Sequence, residues 1–131
     1  MSRYAGRFPM NRARADHMIG SRQNMAIPRV GNTRMERRKD GSLEITYHGN
    51  TIMTFHADGT RTYTTDGWGT ASTHERLNAM TPPGVHFGMV DGTPSLVFRR
   101  THFTFRYDSS VYELFVDTDG EASARKIGDD R

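Results

Sequence analysis

The chain has 131 residues, of which 34% are hydrophobic, and its mean hydropathy is −0.73. This length fits one small domain with appendages, and no run approaches the roughly 18 apolar residues that a membrane span requires. The absence of cysteine excludes disulfides and thiolate metal sites, and since the N-terminus lacks the apolar stretch of a secretory signal, we expect an intracellular protein with no membrane partner.

The net charge of +3 conceals an asymmetry along the chain. Residues 1–39 hold ten basic and two acidic side chains, a net +8, whereas residues 40–131 have a net charge of −5. A basic segment joined to an acidic body favours a polyanionic partner, either nucleic acid or the acidic surface of a protein complex. However, sixteen of the eighteen basic residues are arginine, a bias that a GC-rich genome also produces without selection for phosphate binding. We predict partner contacts for the arginines Arg3, Arg7, Arg12, Arg14, Arg22, Arg34, Arg37 and Arg38.

The composition and periodicity of the sequence predict three segments. Residues 1–40 are interrupted by glycine and proline and show no sustained period, so we expect an irregular basic N-terminal arm with at most a short helix at about 11–18. Residues 41–118 should form a β-rich globular body, and residues 119–131 a polar C-terminal tail. At this size the core is marginal, which favours a bound partner or a homo-oligomer.

The body begins with three alternating segments, "SLEITYH", "TIMTFH" and "TRTYTT", separated by turns at residues 48–50 and 57–59. Alternation of apolar and polar side chains is the period of a half-buried strand, and Asp58-Gly59 suits a tight hairpin. Further strands are predicted in "GVHFGMV", "SLVFR", "THFTFRY" and "VYELFV". The expected fold is therefore mainly β: a small antiparallel meander sheet of about six strands with one short helix, α+β in class.

The stretch "TTDGWGTASTHERLN" (residues 64–78) contains the single tryptophan of the chain. Ser72 and Glu75 have the spacing of a capping box, which predicts a short helix over about 73–80 that ends at Pro82-Pro83. Hydroxyls beside a helix N-terminus favour an anion, and a tryptophan can stack a base. The candidate stacking and anion corner comprises Trp68, Thr70, Ser72, Thr73 and Arg76. The alternative, which the pattern favours, is a structural corner in which Trp68 is a core residue and the hydroxyls are caps.

A second candidate contact lies in "FRRTHFTFRY", where Arg99, Arg100 and Arg106 alternate with aromatic side chains. Such a sheet face can bind a nucleic-acid strand by stacking and phosphate contacts. The same alternation is also typical of an ordinary strand with its rings inward and its arginines outward.

The sequence predicts no catalytic residues, no metal site and no cofactor. The six histidines lack the i, i+4 spacing of a helical metal site, and neither a G-x-S-x-G elbow nor a glycine-rich phosphate loop is present. Residues 117–120 resemble the opening of a calcium loop, but Gly128 stands where the twelfth-position acid is required. We therefore expect a protein that is not an enzyme.

From Asn50 to Asn78 the sequence resembles a family of small proteins encoded by tailed bacteriophages. The pattern comprises Asn-Thr followed by a hydrophobic residue, an Asp-Gly-Thr hairpin, a Gly-Trp pair and a threonine-rich helix start. This chain departs from it at Ser72, where the pattern has threonine. It is matched by Asn50, Thr51, Ile52, Asp58, Gly59, Thr60, Gly67, Trp68, Thr70, Thr73, Arg76, Leu77 and Asn78.

The resemblance implies a phage protein, located in the host bacterial cytoplasm or in the virion, and no particular chemistry. Together with the charge pattern it predicts a non-enzymatic phage-type binding protein whose arginine-rich arm engages nucleic acid or an acidic surface of a nucleic-acid-handling complex. Two alternatives remain open: a phage-encoded inhibitor of a host defence protein, and a virion or assembly component.

Overall fold

The computed structural model describes Tyr4 and residues 6–65, 70–101, 103–106 and 111–127. Within these residues the chain forms two helices and ten strands. Their order is α1 (Arg12–Ile19), β1 (Asn24–Ala26), β2 (Thr33–Arg37), β3 (Leu43–Tyr47), β4 (Asn50–Phe55), β5 (Arg61–Thr64), α2 (Ala71–Asn78), β6 (Val85–Val90), β7 (Thr93–Phe98), β8 (Phe103–Arg106), β9 (Val111–Val116) and β10 (Ala122–Ile127).

The strands form two antiparallel sheets, which confirms the mainly β fold class. The larger sheet has seven strands in the order β1-β2-β3-β4-β5-β9-β10, and the smaller has the order β6-β7-β8. One row of paired residues crosses the large sheet on its inner side and is almost completely buried. It consists of Met35, Ile45, Met53, Tyr63 and Leu114.

The meander β3-β4-β5 forms as predicted, with turns at the expected positions. His48 and Gly49 connect β3 to β4, and both have a positive φ, 51° and 81°, as a two-residue hairpin turn requires. In the next turn the Asp58 carboxylate accepts hydrogen bonds from the backbone N–H of Thr60, at 2.9 Å, and from its hydroxyl. The first hairpin brings Tyr47 and Asn50 opposite each other at one end of the sheet.

The N-terminal segment, which the sequence predicted to be an irregular arm, instead contains regular secondary structure. The short helix is confirmed by α1, but the same segment also supplies β1 and β2 of the large sheet, and it buries seven apolar side chains in the core. Because each of these elements is only three to eight residues long, no period is sustained long enough to show in the sequence. The buried side chains are Tyr4, Phe8, Ala15, Ile19, Ile27, Val30 and Met35.

The expected polar tail differs in the same way. β10 pairs with β9 over six residues, from Ala122 opposite Val116 to Ile127 opposite Val111. β10 lies at the edge of the sheet, and an edge strand needs few apolar side chains. The composition of residues 119–131 therefore resembles a tail although a strand forms there.

Helix α2 starts earlier than predicted, and its cap is Thr70. The Thr70 backbone is extended, and its hydroxyl accepts a hydrogen bond from the N–H of Thr73 at 3.3 Å. Ser72 therefore lies in the first turn, and the predicted capping box of Ser72 with Glu75 is wrong. The predicted burial of Leu77 and Met80 is confirmed.

Both helices pack against the inner face of the large sheet. From α1, Arg12 donates to the carbonyl of Phe55 at 3.3 Å, and below α2 the hydroxyl of Tyr63 donates to the carbonyl of Met80 at 2.8 Å. The small sheet is joined to α2 through Asn78, which bonds the backbone of β6. In the described part of the chain, neither helix has the length and apolar character needed to cross a membrane.

Candidate ligand site at the start of helix α2

A cavity of about 390 Å³ lies where the β3–β4 turn approaches the start of α2; we call it the corner cavity. This volume is within the range of small-molecule sites, about 300–1,000 Å³. One wall comes from the β3–β4 hairpin, and the other comes from the end of β5 and the first turn of α2. The lining residues among those described are Tyr47, His48, Asn50, Ile52, Thr65, Thr70, Ser72 and Thr73.

The helical wall presents hydroxyls and the N-terminus of α2. The hydroxyls of Thr70 and Thr73 lie 3.0 Å apart, and the first turn of α2 contains no acidic residue. The unpaired amides and the dipole of a helix start favour a negative charge placed there. None of the described residues that line the cavity is a carboxylate. This wall is therefore suited to an anionic group.

The hairpin wall presents aromatic and amide groups. The rings of Tyr47 and His48 have centroids 4.3 Å apart at an angle of 44°. His48 is exposed at the turn, Tyr47 is half-buried, and the Asn50 amide lies at the start of β4. An amide offers both donors and an acceptor, so this wall can stack against a flat ring and bond to its edge.

Arg76 lies behind the cavity wall and is 5% exposed. Its guanidinium donates to the hydroxyl of Thr33 at 2.9 Å, the carbonyl of Ser72 at 3.0 Å and the carbonyl of Gly31 at 3.1 Å. Its central carbon lies 3.9 Å from the ring centroid of Tyr47, a cation–π geometry. Each of these partners is uncharged, so none of them neutralises Arg76. Its positive charge lies directly behind Tyr47 and Ser72 of the cavity wall.

The structure thus brings together part of the predicted corner. Thr70, Ser72 and Thr73 line one cavity, and Arg76 supports its wall instead of facing the space. Trp68 lies outside the described residues. Sequence reasoning missed Tyr47, His48 and Asn50. Tertiary contacts, among them those of Arg76 with Tyr47 and Thr33, bring this hairpin to α2.

Four of the predicted partner-binding arginines bond backbone carbonyls or a carboxylate of this chain. Arg22 donates to the carbonyl of Ile19 at the end of α1, at 3.0 Å, and Arg37 donates to the carbonyl of Gly20 at 2.7 Å. Arg12 bonds the carbonyls of Gly41 and Phe55. Arg38 lies 2.7 Å from the carboxylate of Glu44, whose hydrogen bond and charge raise the pKa of Arg38. These arginines hold α1 and the β2–β3 hairpin in place.

The other predicted arginines lie on separate elements. Arg7, Arg14, Arg34, Arg99 and Arg100 are exposed. Arg34 bonds the side chain of Asn24, and Arg99 donates to the imidazole of His86 at 3.2 Å. Arg3 and the side chain of Arg106 lie outside what the structure describes.

Comparison with family models gives one finding. Residues 12–115 match the model described as Kyanoviridae Gp96 protein, a match that includes every described lining residue of the corner cavity. Comparison with curated proteins and with solved structures gives no match. The match confirms the expected tailed-phage origin, while the particular motif from Asn50 to Asn78 stays a prediction. The chain belongs to the Kyanoviridae Gp96 protein family.

Proposed function

We propose that this phage protein is a non-enzymatic binding protein whose corner cavity holds a nucleotide unit, either free or as part of a nucleic acid. The observation that supports the proposal is that two chemically different walls enclose one cavity of about 390 Å³. One wall is aromatic, from Tyr47 and His48, and the other offers hydroxyls and amides at the start of α2. A nucleotide has the matching parts, a flat base and an anionic phosphate.

Each part of the nucleotide would have a distinct environment. The phosphate would accept hydrogen bonds from the hydroxyls of Thr70 and Ser72 and from backbone amides at the start of α2. The base would stack against the exposed His48 ring, which itself packs on Tyr47, a contact worth about 1–3 kcal/mol per base. The Asn50 amide would bond the edge of the base. Arg76, behind Tyr47 and Ser72, would add a positive potential that water screens little, because its side chain is buried.

This proposal moves the expected nucleic-acid contact from the N-terminal segment to the corner cavity. Arg12, Arg22, Arg37 and Arg38 bond groups of this chain, and releasing them for phosphates would loosen the packing of α1. Arg14 on α1 and Arg100 after β7 have exposed side chains. They would supply only weak, salt-sensitive contacts to a longer nucleic acid.

Calorimetric titration of the full chain with the four deoxynucleoside 5′-monophosphates tests the proposal. Deoxynucleosides and inorganic phosphate serve as the two fragments, and a 5′-phosphorylated oligonucleotide distinguishes a free nucleotide from a strand end. We expect at least one monophosphate to bind more tightly than either of its fragments. If no nucleotide binds at millimolar concentration, the proposal is wrong.

Substitution of Ser72 by Asp locates the site. An acid in the first turn favours the helix, so Ser72→Asp should keep or raise the melting temperature. Nucleotide affinity should nevertheless fall at least about tenfold, since a like charge about 4 Å from the phosphate repels it by more than about 1.4 kcal/mol. Ser123→Asp, on the exposed side of β10, is the matched control and should bind like the wild type. Equal affinity in the two variants would place the ligand elsewhere.

A further inference from the structure

A second cavity of about 540 Å³ lies on the other side of the β3–β4 turn; we call it the turn cavity. Its lining includes Arg34, Glu36 and Thr46 from the outer face of the large sheet, together with the loop before β2. Successive side chains of a strand point to opposite faces, so Thr46 lines the turn cavity and Tyr47 the corner cavity. His48, the next residue, lines both.

We propose that the two cavities form one bipartite site for a single-stranded dinucleotide segment, an inference that rests on the proposed nucleotide binding. The first nucleotide occupies the corner cavity, and the second occupies the turn cavity. The connecting phosphodiester crosses the His48-Gly49 turn. This ridge is open, since even a Cβ added to Gly49 would have no neighbour within 4 Å.

The two cavities are held at a fixed spacing. The backbone N–H of His48 donates to the carbonyl of Asn32 at 2.9 Å, which joins the β3–β4 turn to the loop before β2. Both residues have a left-handed φ, 51° at His48 and 53° at Asn32, a conformation that the surrounding structure must hold in place. A site preformed in this way loses little conformational entropy when a ligand spans it.

Arg34 supplies the turn cavity with a cation for a phosphodiester. Glu36 is the carboxylate among the described lining residues, and it lies 3.6 Å from the guanidinium of Arg38, which also pairs with Glu44 at 2.7 Å. Arg34 is exposed, and the partner of its guanidinium is the neutral side chain of Asn24. The charge of Arg34 is therefore available to the phosphodiester that connects the two nucleotides.

The test compares a deoxynucleoside 5′-monophosphate with the 5′-phosphorylated homodinucleotide of the same base, by calorimetry on the full chain. We expect the dinucleotide to bind at least about tenfold more tightly, because the second contact is made at a high effective concentration. Arg34→Gln should remove most of this gain and leave the monophosphate affinity unchanged. Arg14→Gln, at another exposed arginine, is the matched control and should preserve the gain.

Three results would overturn the inference. Equal affinities for the two ligands would show a single cavity in use and would leave the proposed nucleotide binding intact. Loss of the dinucleotide gain in Arg14→Gln as much as in Arg34→Gln would show a diffuse charge effect. Absence of binding by both ligands would contradict this inference and the proposed function together.

Discussion

The side chain of Asn78 pairs with both backbone groups of Phe87. Its amide nitrogen donates to the Phe87 carbonyl at 2.7 Å, and its oxygen accepts from the Phe87 N–H at 2.7 Å. At this point the end of α2 occupies the position that a neighbouring strand would have beside β6. One residue thus attaches the small sheet to the helix that forms the cavity wall.

Asn78→Asp should destabilise the fold more than Asn78→Ala. Alanine removes two hydrogen bonds, which we expect to cost about 2 kcal/mol. Aspartate keeps the acceptor but places a carboxylate against the Phe87 carbonyl, so the free energy of unfolding should fall further. Urea denaturation measures both, with the exposed Ser123→Ala as control. Variants as stable as the wild type would show that the pair does not hold the small sheet in place.

The identity of the helix cap gives a second prediction. Since Thr70 accepts from the N–H of Thr73, Thr70→Ala should lower the free energy of unfolding by about 1 kcal/mol. Ser72→Ala should have an effect below about 0.5 kcal/mol, because its hydroxyl caps nothing. The same denaturation series measures both variants. The reverse order would restore the capping box that the sequence suggested.

Arg76 should contribute to stability and to binding in separable ways. Arg76→Met leaves the Gly31 carbonyl and the Thr33 hydroxyl without this donor, so we expect a loss of about 3 kcal/mol. Arg76→Lys keeps the charge but loses the planar contact over Tyr47 and part of the hydrogen bonding.

Nucleotide affinity at equal folded fraction separates these roles. The lysine variant should retain more affinity than the methionine variant, since the charge behind the wall remains. Equal affinity in the two variants would indicate that Arg76 acts only as a packing residue.

Stability should decrease as the pH falls from 8 to 5. Burial lowers the pKa of His74, as does the charge of His86, and burial and the charge of Arg99 lower the pKa of His86. On these imidazoles the folded state holds fewer protons than the unfolded state. The contribution of these two histidines to the free energy of unfolding is therefore complete above the ordinary histidine pKa of about 6.5. It is lost as the pH drops below that value.

Urea denaturation between pH 5 and pH 8 measures this dependence. His74→Gln should flatten it, whatever the variant's stability at pH 8, and His17→Gln, at an exposed position of α1, should leave it unchanged. A wild-type stability that does not vary over this range would contradict the assignment.

Much of the fold could be predicted from the sequence between Ser42 and Val116, because strands with one buried face alternate visibly. β1, with three residues, and the edge strand β10 could not, since too few of their side chains enter the core to produce a pattern. Arginines in residues 1–40 indicated an exposed basic arm. Several of them instead bond backbone carbonyls, such as Arg37 with that of Gly20, and composition does not distinguish these two uses.

The candidate site was predictable only on its helical side. The hydroxyls at Thr70, Ser72 and Thr73 follow from the local chemistry of a helix start. Tyr47 and His48 join them because the register of the large sheet places Thr33 opposite Tyr47, within reach of Arg76 from α2. Contacts between residues so distant in the sequence have no local signal.

The most direct test of the corner cavity is a backbone amide NMR titration of the full chain with a deoxynucleoside 5′-monophosphate. Nucleotide binding in the cavity predicts saturable shifts concentrated at residues 47–52 and 70–73. Shifts confined to the exposed arginines, such as Arg14 and Arg100, or no saturable shifts at all, would contradict it.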